Sequence, residues 1–421
     1  MSTLKLVRFN KITKVLLSAI VFIVLLLSFM TFHWGGDKGN HNVGLVAHTD
    51  ESKIYYRLAR SEKYGMFSEA GLLGFCESSY LGGDSRRKHS ISCYLTGNCP
   101  DYCPYCSQSG FQGLIYSLIN RAYKNPFIFK ILCASFLSAV LTAWFVWLCD
   151  YFGLISSFLI MISIFSFRDL MSFGDNIAQV LGATYLIMVA MFWAYKKNIK
   201  HIGTVAFFVV LLKLLLNGPE YIFSALLLPF LPLVFFAVLN RTSKQEVMHN
   251  FFLITRGVLL ACFVSFLILM AQVSMIDSLA GAIHHFINRV LVRVYLPNLL
   301  PLNERATTIS VTRLQLLYKY LSFPCASIGF FKIYFGEIIL FFCIISILAL
   351  YLYRRYGQRV LFALLATTWV SILCPLSWIL IAKGHVANEM HDRLVWHIPF
   401  TLLGMALTVV TLKMWICRMK H

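Results

Sequence analysis

The chain has 421 residues, of which 59% are hydrophobic and only 13% charged, with 37 Lys and Arg against 18 Asp and Glu. Soluble globular chains carry about 25% charge and 45–50% apolar residues, so a water-soluble enzyme is excluded. The 36 Phe, 20 Tyr and 8 Trp exclude a disordered chain.

The first apolar run, Val15 to Phe32, follows Lys5, Arg8, Lys11 and Lys14. It is too long for a signal-peptide core and lacks a small-x-small cleavage site, so it reads as an uncleaved first span. With roughly 20 apolar residues needed per span, candidate spans fall at 15–32, 127–149, 151–167, 177–195, 202–217, 219–239, 252–274, 333–353, 359–381 and 395–413. The expected fold is an all-α polytopic membrane protein of about 10 transmembrane helices, a single membrane-embedded domain over 1–421. Placing both termini in the cytoplasm puts Lys196, Lys197, Lys200, Arg241, Lys244, Arg354, Arg355, Arg359, Lys413, Arg418 and Lys420 in cytoplasmic segments, beside the N-terminal bases. Most acids then fall outside. Much of the +19 charge is thus a topology signal, and nucleic acid is not an expected partner. Span 151–167 is short enough to be re-entrant, and Pro229 and Pro232 should kink the helix that carries them.

Two external segments are long. The first, 33–126, contains five Cys, and Ser52 to Tyr64 reads as a helix entered through Thr49 or Asp50. The second, 275–332, carries an amphipathic stretch from Ser278 to Tyr295. Leu279, Ile283, Phe286, Ile287, Val290 and Val294 form its apolar side, opposite His285, Arg289 and Arg293, so it should lie on the membrane surface.

Cys99, Cys103 and Cys106 have the spacing C-x3-C-x2-C, which resembles the cluster motif of radical SAM enzymes. Those enzymes use a soluble α/β barrel, and none fits in a loop of about 94 residues. A disulfide-stapled loop is expected instead, drawn from Cys76, Cys93, Cys99, Cys103, Cys106 and Cys325 with connectivity open. A zinc site is the alternative for these thiols, but no nearby His completes an obvious pattern, so neither metal nor cofactor is assigned.

The acids Asp50 and Glu51 lie just beyond the first span. A carboxylate there can act as a general base towards a hydroxyl, and Asp50 can equally cap the following helix. Further polar groups gather at external span ends: Arg168 and Asp169, Gly174 and Asp175, and Asn217, Glu220 and Tyr221. Lys213 sits inside a span, within reach of the surface by snorkelling. The densest cluster follows Pro375, with Lys383, His385, Glu389, His391, Asp392 and Arg393 before Trp396. Its cations suit a phosphate.

These features together resemble the GT-C superfamily of membrane glycosyltransferases. Asp50 with Glu51 matches the position of that family's catalytic acid in the first external loop. The stretch Tyr55-Tyr56-Arg57-Leu58-Ala59 looks like the helix after it. Ser107 to Gly113, Asn217 to Ile222 and Pro375 to Arg393 also look like segments of such proteins. In size and layout the chain is most similar to phage-encoded serotype-converting O-antigen glucosyltransferases. The resemblance implies an inverting transfer of a sugar, glucose favoured, from a polyprenyl-phosphate donor to lipopolysaccharide O-antigen. The reaction would take place at the periplasmic face of a bacterial inner membrane. Asp50 would be the base, with Glu51 beside it. Lys383, His385 and Arg393 are the candidates to offset the charge of the departing phosphate, with Arg168, Arg289 and Arg293 behind them, and Asp169, Glu220 and His391 are the further substrate-binding candidates. A donor synthase at the cytoplasmic face and a flippase are the implied partners. An O-antigen polymerase and a lipid-linked sugar flippase are the rival readings. A transporter needs polar groups buried along a path through the spans, where only Lys213 and Arg256 stand out as bases.

Overall fold

A computed structural model describes residues 11–31, 51–76, 83–97, 99, 101–294, 312–328, 331–383, 386 and 390–419. The chain is overwhelmingly helical. Among the described residues, seven helices are long and apolar enough to cross a membrane: Ile12–Thr31, Pro126–Phe152, Ile222–Asn240, Lys244–Ser274, Phe335–Tyr356, Arg359–Ile381 and Leu394–Met419. Three shorter apolar helices accompany them at Leu154–Ile164, Leu181–Lys196 and Ile202–Asn217. All ten runs read as spans in the sequence are therefore helical, but three fall short of the roughly 20 residues a crossing needs.

The first helix, α1 (Lys11–Thr31), packs against α5 (Pro126–Phe152). Between them lies the first external segment. It contains α2 (Ser52–Tyr64), strand β1 (Gly74–Cys76), α3 (Gly83–Thr96), strand β2 (Tyr102–Pro104) and α4 (Phe111–Ala122). The two strands pair antiparallel with Gly74 opposite Pro104. The helix read over Ser52 to Tyr64 forms with those bounds, and its N-cap is Glu51. Its carboxylate makes no cap; Ile54, Tyr55 and Leu58 bury one face of the helix in a core with Leu73, Tyr94 and Tyr116. Arg57 is also buried there, donating to the carbonyls of Ser68 (2.7 Å) and Met66.

After α5 the chain turns at Gly153 (φ +82°) into α6 (Leu154–Ile164), then α7 (Arg168–Ser172), α8 (Leu181–Lys196) and α9 (Ile202–Asn217). At a rise of 1.5 Å per residue an 11-residue helix spans about 16 Å, half a bilayer core. The helix within the expected span at 151–167 is thus shorter than a bilayer core. Helix α10 (Ile222–Leu227) continues through a 3-10 turn at Leu228–Phe230 into α11 (Leu231–Asn240). The turn carries Pro229, and Pro232 starts the next helix, because a proline supplies no backbone N–H and clashes with the preceding turn.

Helix α12 (Lys244–Ser274) leads to α13 (Leu279–Val294), the amphipathic helix expected from the sequence. Ala282 and Phe286 hold α13 against Leu269, Met270 and Val273, while Leu279, Ile283, Ile287 and Val290 remain exposed. An apolar stripe of this kind suits a bilayer surface. Then follow α14 (Arg313–Leu321), the hairpin β3 (Pro324–Ile328) with β4 (Phe331–Tyr334), α15 (Phe335–Tyr356), α16 (Arg359–Ser371) and α17 (Leu373–Ile381). A 3-10 segment at Met390–His397 precedes α18 (Phe400–Met419).

One end of the bundle is tied by charge. Asp150, near the end of α5, pairs with Lys14 of α1 at 2.5 Å and with Lys196 at the end of α8. Lys413 of α18 donates to the Phe152 carbonyl at 2.9 Å. The bases assigned to one face by the charge pattern, Lys14, Lys196 and Lys413, thus converge there.

Candidate functional site

At the opposite end of α5 three ionisable side chains meet out of water. Lys130 Nζ lies 3.2 Å from Asp175 Oδ2 and 3.6 Å from Glu51 Oε1. Their side chains are 3%, 2% and 0% exposed. Glu51 Oε1 also accepts the Ile177 N–H at 3.1 Å. Two carboxylates share one ammonium, so each group depends on the others to offset its lost hydration.

The loop 173–180 between α7 and α8 is the hub of this region. Close packing against α1 starts it: a Cβ on Gly174 would stand 2.1 Å from the Phe29 ring. Asn176 Oδ1 accepts from the N–H groups of Ala178 (2.8 Å) and Gln179 (2.9 Å), an Asx-type turn. Distant side chains satisfy the loop's carbonyls. Tyr116 OH donates to Ile177 O (3.2 Å), Gln112 Nε2 to Ala178 O (3.3 Å), and Asn217 Nδ2 to Val180 O (3.2 Å). Tyr221 OH reaches Gln179 Oε1 at 3.3 Å. Residues from α2, α4, α5, α9 and the 218–221 turn therefore fix one short loop.

A cavity of about 350 Å³ opens beside this hub. Ser107, Gln108 and Ser109 form its polar end, and Leu214, Phe263 and Phe286 are among its apolar walls. Ser109 Oγ donates to the Leu215 carbonyl at 3.3 Å, which holds the 107–109 turn to α9. Gly218 is required at the cavity edge: its φ is +57°, and a Cβ would come within 2.4 Å of Gln108. Lys213 does not snorkel to the surface. It is fully buried and donates to the carbonyls of Gly218 (2.9 Å) and Glu220, bracing this turn from inside.

The residues singled out in the sequence fall into three groups. Asp50 and His385 lie outside the described residues. Arg168 opens α7, Arg289 and Arg293 lie on α13, and His391 and Arg393 lie in the 390–397 segment. The side chains of these five are outside the described ones. Glu51, Asp169, Glu220 and Lys383 are placed in full. Glu51 is buried and engaged by Lys130 and Ile177, a placement that suits an anchor for the 173–180 loop. Asp169 is 5% exposed in the first turn of α7, which packs against both β3 and the 390–397 segment. Helix α7 and the 390–397 segment, separated by over 200 residues, are thereby brought together. Glu220 and Lys383 are half-buried. Helix α17, leading to Lys383, packs on α10, with Trp378 against Tyr221 at 5.6 Å and Ser224 Oγ donating to Cys374 O at 2.7 Å.

Lys130 was not singled out by the sequence, although a lone ammonium within the first turns of an apolar helix is the same signal that Lys213 gave. Arg256, by contrast, is exposed on α12. Gln112 and Asn176 carry no comparable signal, since their role is visible only once the loop is folded. Of the external cysteines, Cys76 and Cys99 form a disulfide, and Cys325 is a buried thiol whose pKa burial pushes up to about 12. Compared with family models, with curated proteins and with solved structures, the chain matches none of them.

Proposed function

We propose that the chain is an inverting glycosyltransferase that moves a sugar, glucose favoured, from a polyprenyl-phosphate donor to O-antigen at the periplasmic face of a bacterial inner membrane. The observation that carries this reading is the cavity, with apolar walls from α9, α12 and α13 and a polar end at 107–109. A prenyl chain with a phosphosugar head has the same division along its length. The stitched 173–180 loop links that cavity to Glu51, and so to the backbone position next to Asp50.

In this mechanism Asp50 removes the proton from the acceptor hydroxyl, whose oxygen attacks the anomeric carbon opposite the phosphate. The bond from that carbon to the phosphate oxygen breaks, and polyprenyl phosphate leaves with the electron pair. Lys383, His385 and Arg393, supported by Arg168, Arg289 and Arg293, offset the developing negative charge, and His391 contributes to substrate binding. Glu51, Asp169 and Glu220 hold backbone and acceptor. Substituting a general base costs about 10²–10⁴-fold.

The test compares O-antigen from cells carrying wild type and Asp50→Asn, by mass and linkage, in a host that supplies the lipid-linked sugar. One extra hexose per repeat that disappears in Asp50→Asn at equal membrane abundance is expected. Unchanged repeat mass with altered chain length replaces this reading with a polymerase. No change in either replaces it with transport.

A further inference from the structure

The first external segment holds a sulfur cluster that sugar transfer does not use. Cys76 ends β1, Cys93 lies near the end of α3, and Cys99 follows it. Their exposures are 1%, 3% and 3%, and their Sγ atoms all lie within 4.8 Å of one another. Cys76 is bonded to Cys99, and Cys93 remains a thiol. One helical turn before Cys93, His89 brings Nε2 to 3.6 Å from Cys93 Sγ. The i, i+4 spacing stacks these two side chains on one face of α3. Tyr56, Ala59 and Tyr102 pack around the sulfurs.

A disulfide needs two sulfurs, and here the fold gathers three together with an imidazole. Zinc binds sulfur at about 2.3 Å and nitrogen at about 2.0–2.1 Å in a tetrahedron, which sets neighbouring ligand atoms roughly 3.5–3.8 Å apart. The Cys93–His89 separation already has that value, the three Sγ atoms lie within 4.8 Å of one another, and opening the Cys76–Cys99 bond would let those two sulfurs spread to it.

We propose that Cys76, Cys93, Cys99 and His89 form a structural zinc site in the thiol state of the chain, with the Cys76–Cys99 disulfide as the alternative state of the same residues. This inference is independent of the transfer reading. A newly made chain carries thiols, so loading exchanges no electrons. Three thiols release three protons, His89 binds through a neutral nitrogen, and the complex carries one net negative charge. Passage to the disulfide transfers two electrons to a thiol oxidant such as oxidised glutathione and releases the metal. The metal would join β1 to α3 and so hold the segment that begins at Glu51.

The experiment measures zinc in the full chain, expressed with zinc and purified anaerobically in detergent, beside Cys93→Ser and Cys103→Ser. Cys103 is an exposed thiol outside the cluster. About one zinc per chain is expected in wild type and Cys103→Ser, and at least fivefold less in Cys93→Ser. Cobalt added to the wild type reads the ligands without any variant, through a thiolate-to-cobalt charge-transfer band. Zinc no higher in wild type than in Cys93→Ser, or cobalt without a thiolate band, overturns the proposal. So does recovery of Cys76 and Cys99 wholly as a disulfide from the anaerobic protein.

Discussion

Replacing Lys130 by Met tests whether the ion cluster at the start of α5 is a folding requirement. At an effective dielectric near 20, a unit pair at the observed 3.2 and 3.6 Å attracts by about 5 kcal/mol each. Burial of three charges costs several kcal/mol per group, so the assembled cluster is close to balance. Lys130→Met removes both attractions at once and leaves Glu51 and Asp175 buried without a counter-charge. The expected loss is about 3–5 kcal/mol. Glu51→Gln should cost less, because the neutral Lys130–Asp175 pair survives and the amide oxygen still accepts from Ile177. Unfolding of the detergent-solubilised protein at graded denaturant, followed by tryptophan fluorescence, gives both numbers. Equal losses, or a loss below about 1 kcal/mol for Lys130→Met, would refute the account of a shared ammonium.

Three further outcomes follow from the same geometry. Tyr94 donates to Asn120 Oδ1 at 2.6 Å, and burial, aided by the Glu62 carboxylate, pushes its phenol up to about 12. An unfolded tyrosine ionises near 10, so the native state holds the proton more tightly and stability falls as pH rises from about 10 to about 12; Tyr94→Phe should flatten that limb of a melting-temperature profile, and an unchanged slope would remove Tyr94 as its source. Gly110→Ala places a Cβ 1.8 Å from the Gly71 carbonyl, so the 107–113 turn must shift at a cost of about 1–3 kcal/mol or more. Limited proteolysis of the first external segment should accelerate, and unaltered cleavage would show that the turn has room. Ser265→Trp should fill part of the cavity between α9 and α12 and reduce sugar transfer at least tenfold with little change in melting temperature; full activity would exclude the cavity as the donor site.

Hydrophobic periodicity made the helices legible, and chemistry at their ends made the polar clusters legible. Ser52–Tyr64 and the amphipathic Leu279–Val294 were visible because each repeats its apolar residues at helical spacing and is bounded by turn residues. Lengths were less legible. Apolar composition continues across Gly153 and across Ile164 to Phe167, so hydropathy alone merges α6 with its neighbours, although the backbone turns at both ends. Pairings were not legible at all. Glu51, Lys130 and Asp175 are 45 to 124 residues apart, and each looks locally like a cap, a stray anchor or a loop acid. His89 is not legible as a partner for the cysteines because the sequence motif is C-x3-C-x2-C, whereas the folded cluster gathers Cys76, Cys93 and Cys99 and leaves Cys103 exposed.

The double engagement of Asp150 has a consequence for biogenesis. Helix α1 leaves the ribosome first, yet its ion partner and its packing surface both belong to α5, which is complete only at residue 152. The second cation at Asp150, Lys196, arrives some 46 residues later still. Until α5 is made, α1 lacks both its ion partner and its packing surface. This end of the bundle therefore closes in two steps, α1 on α5 first and α8 after it, and is complete only well after its first helix is made.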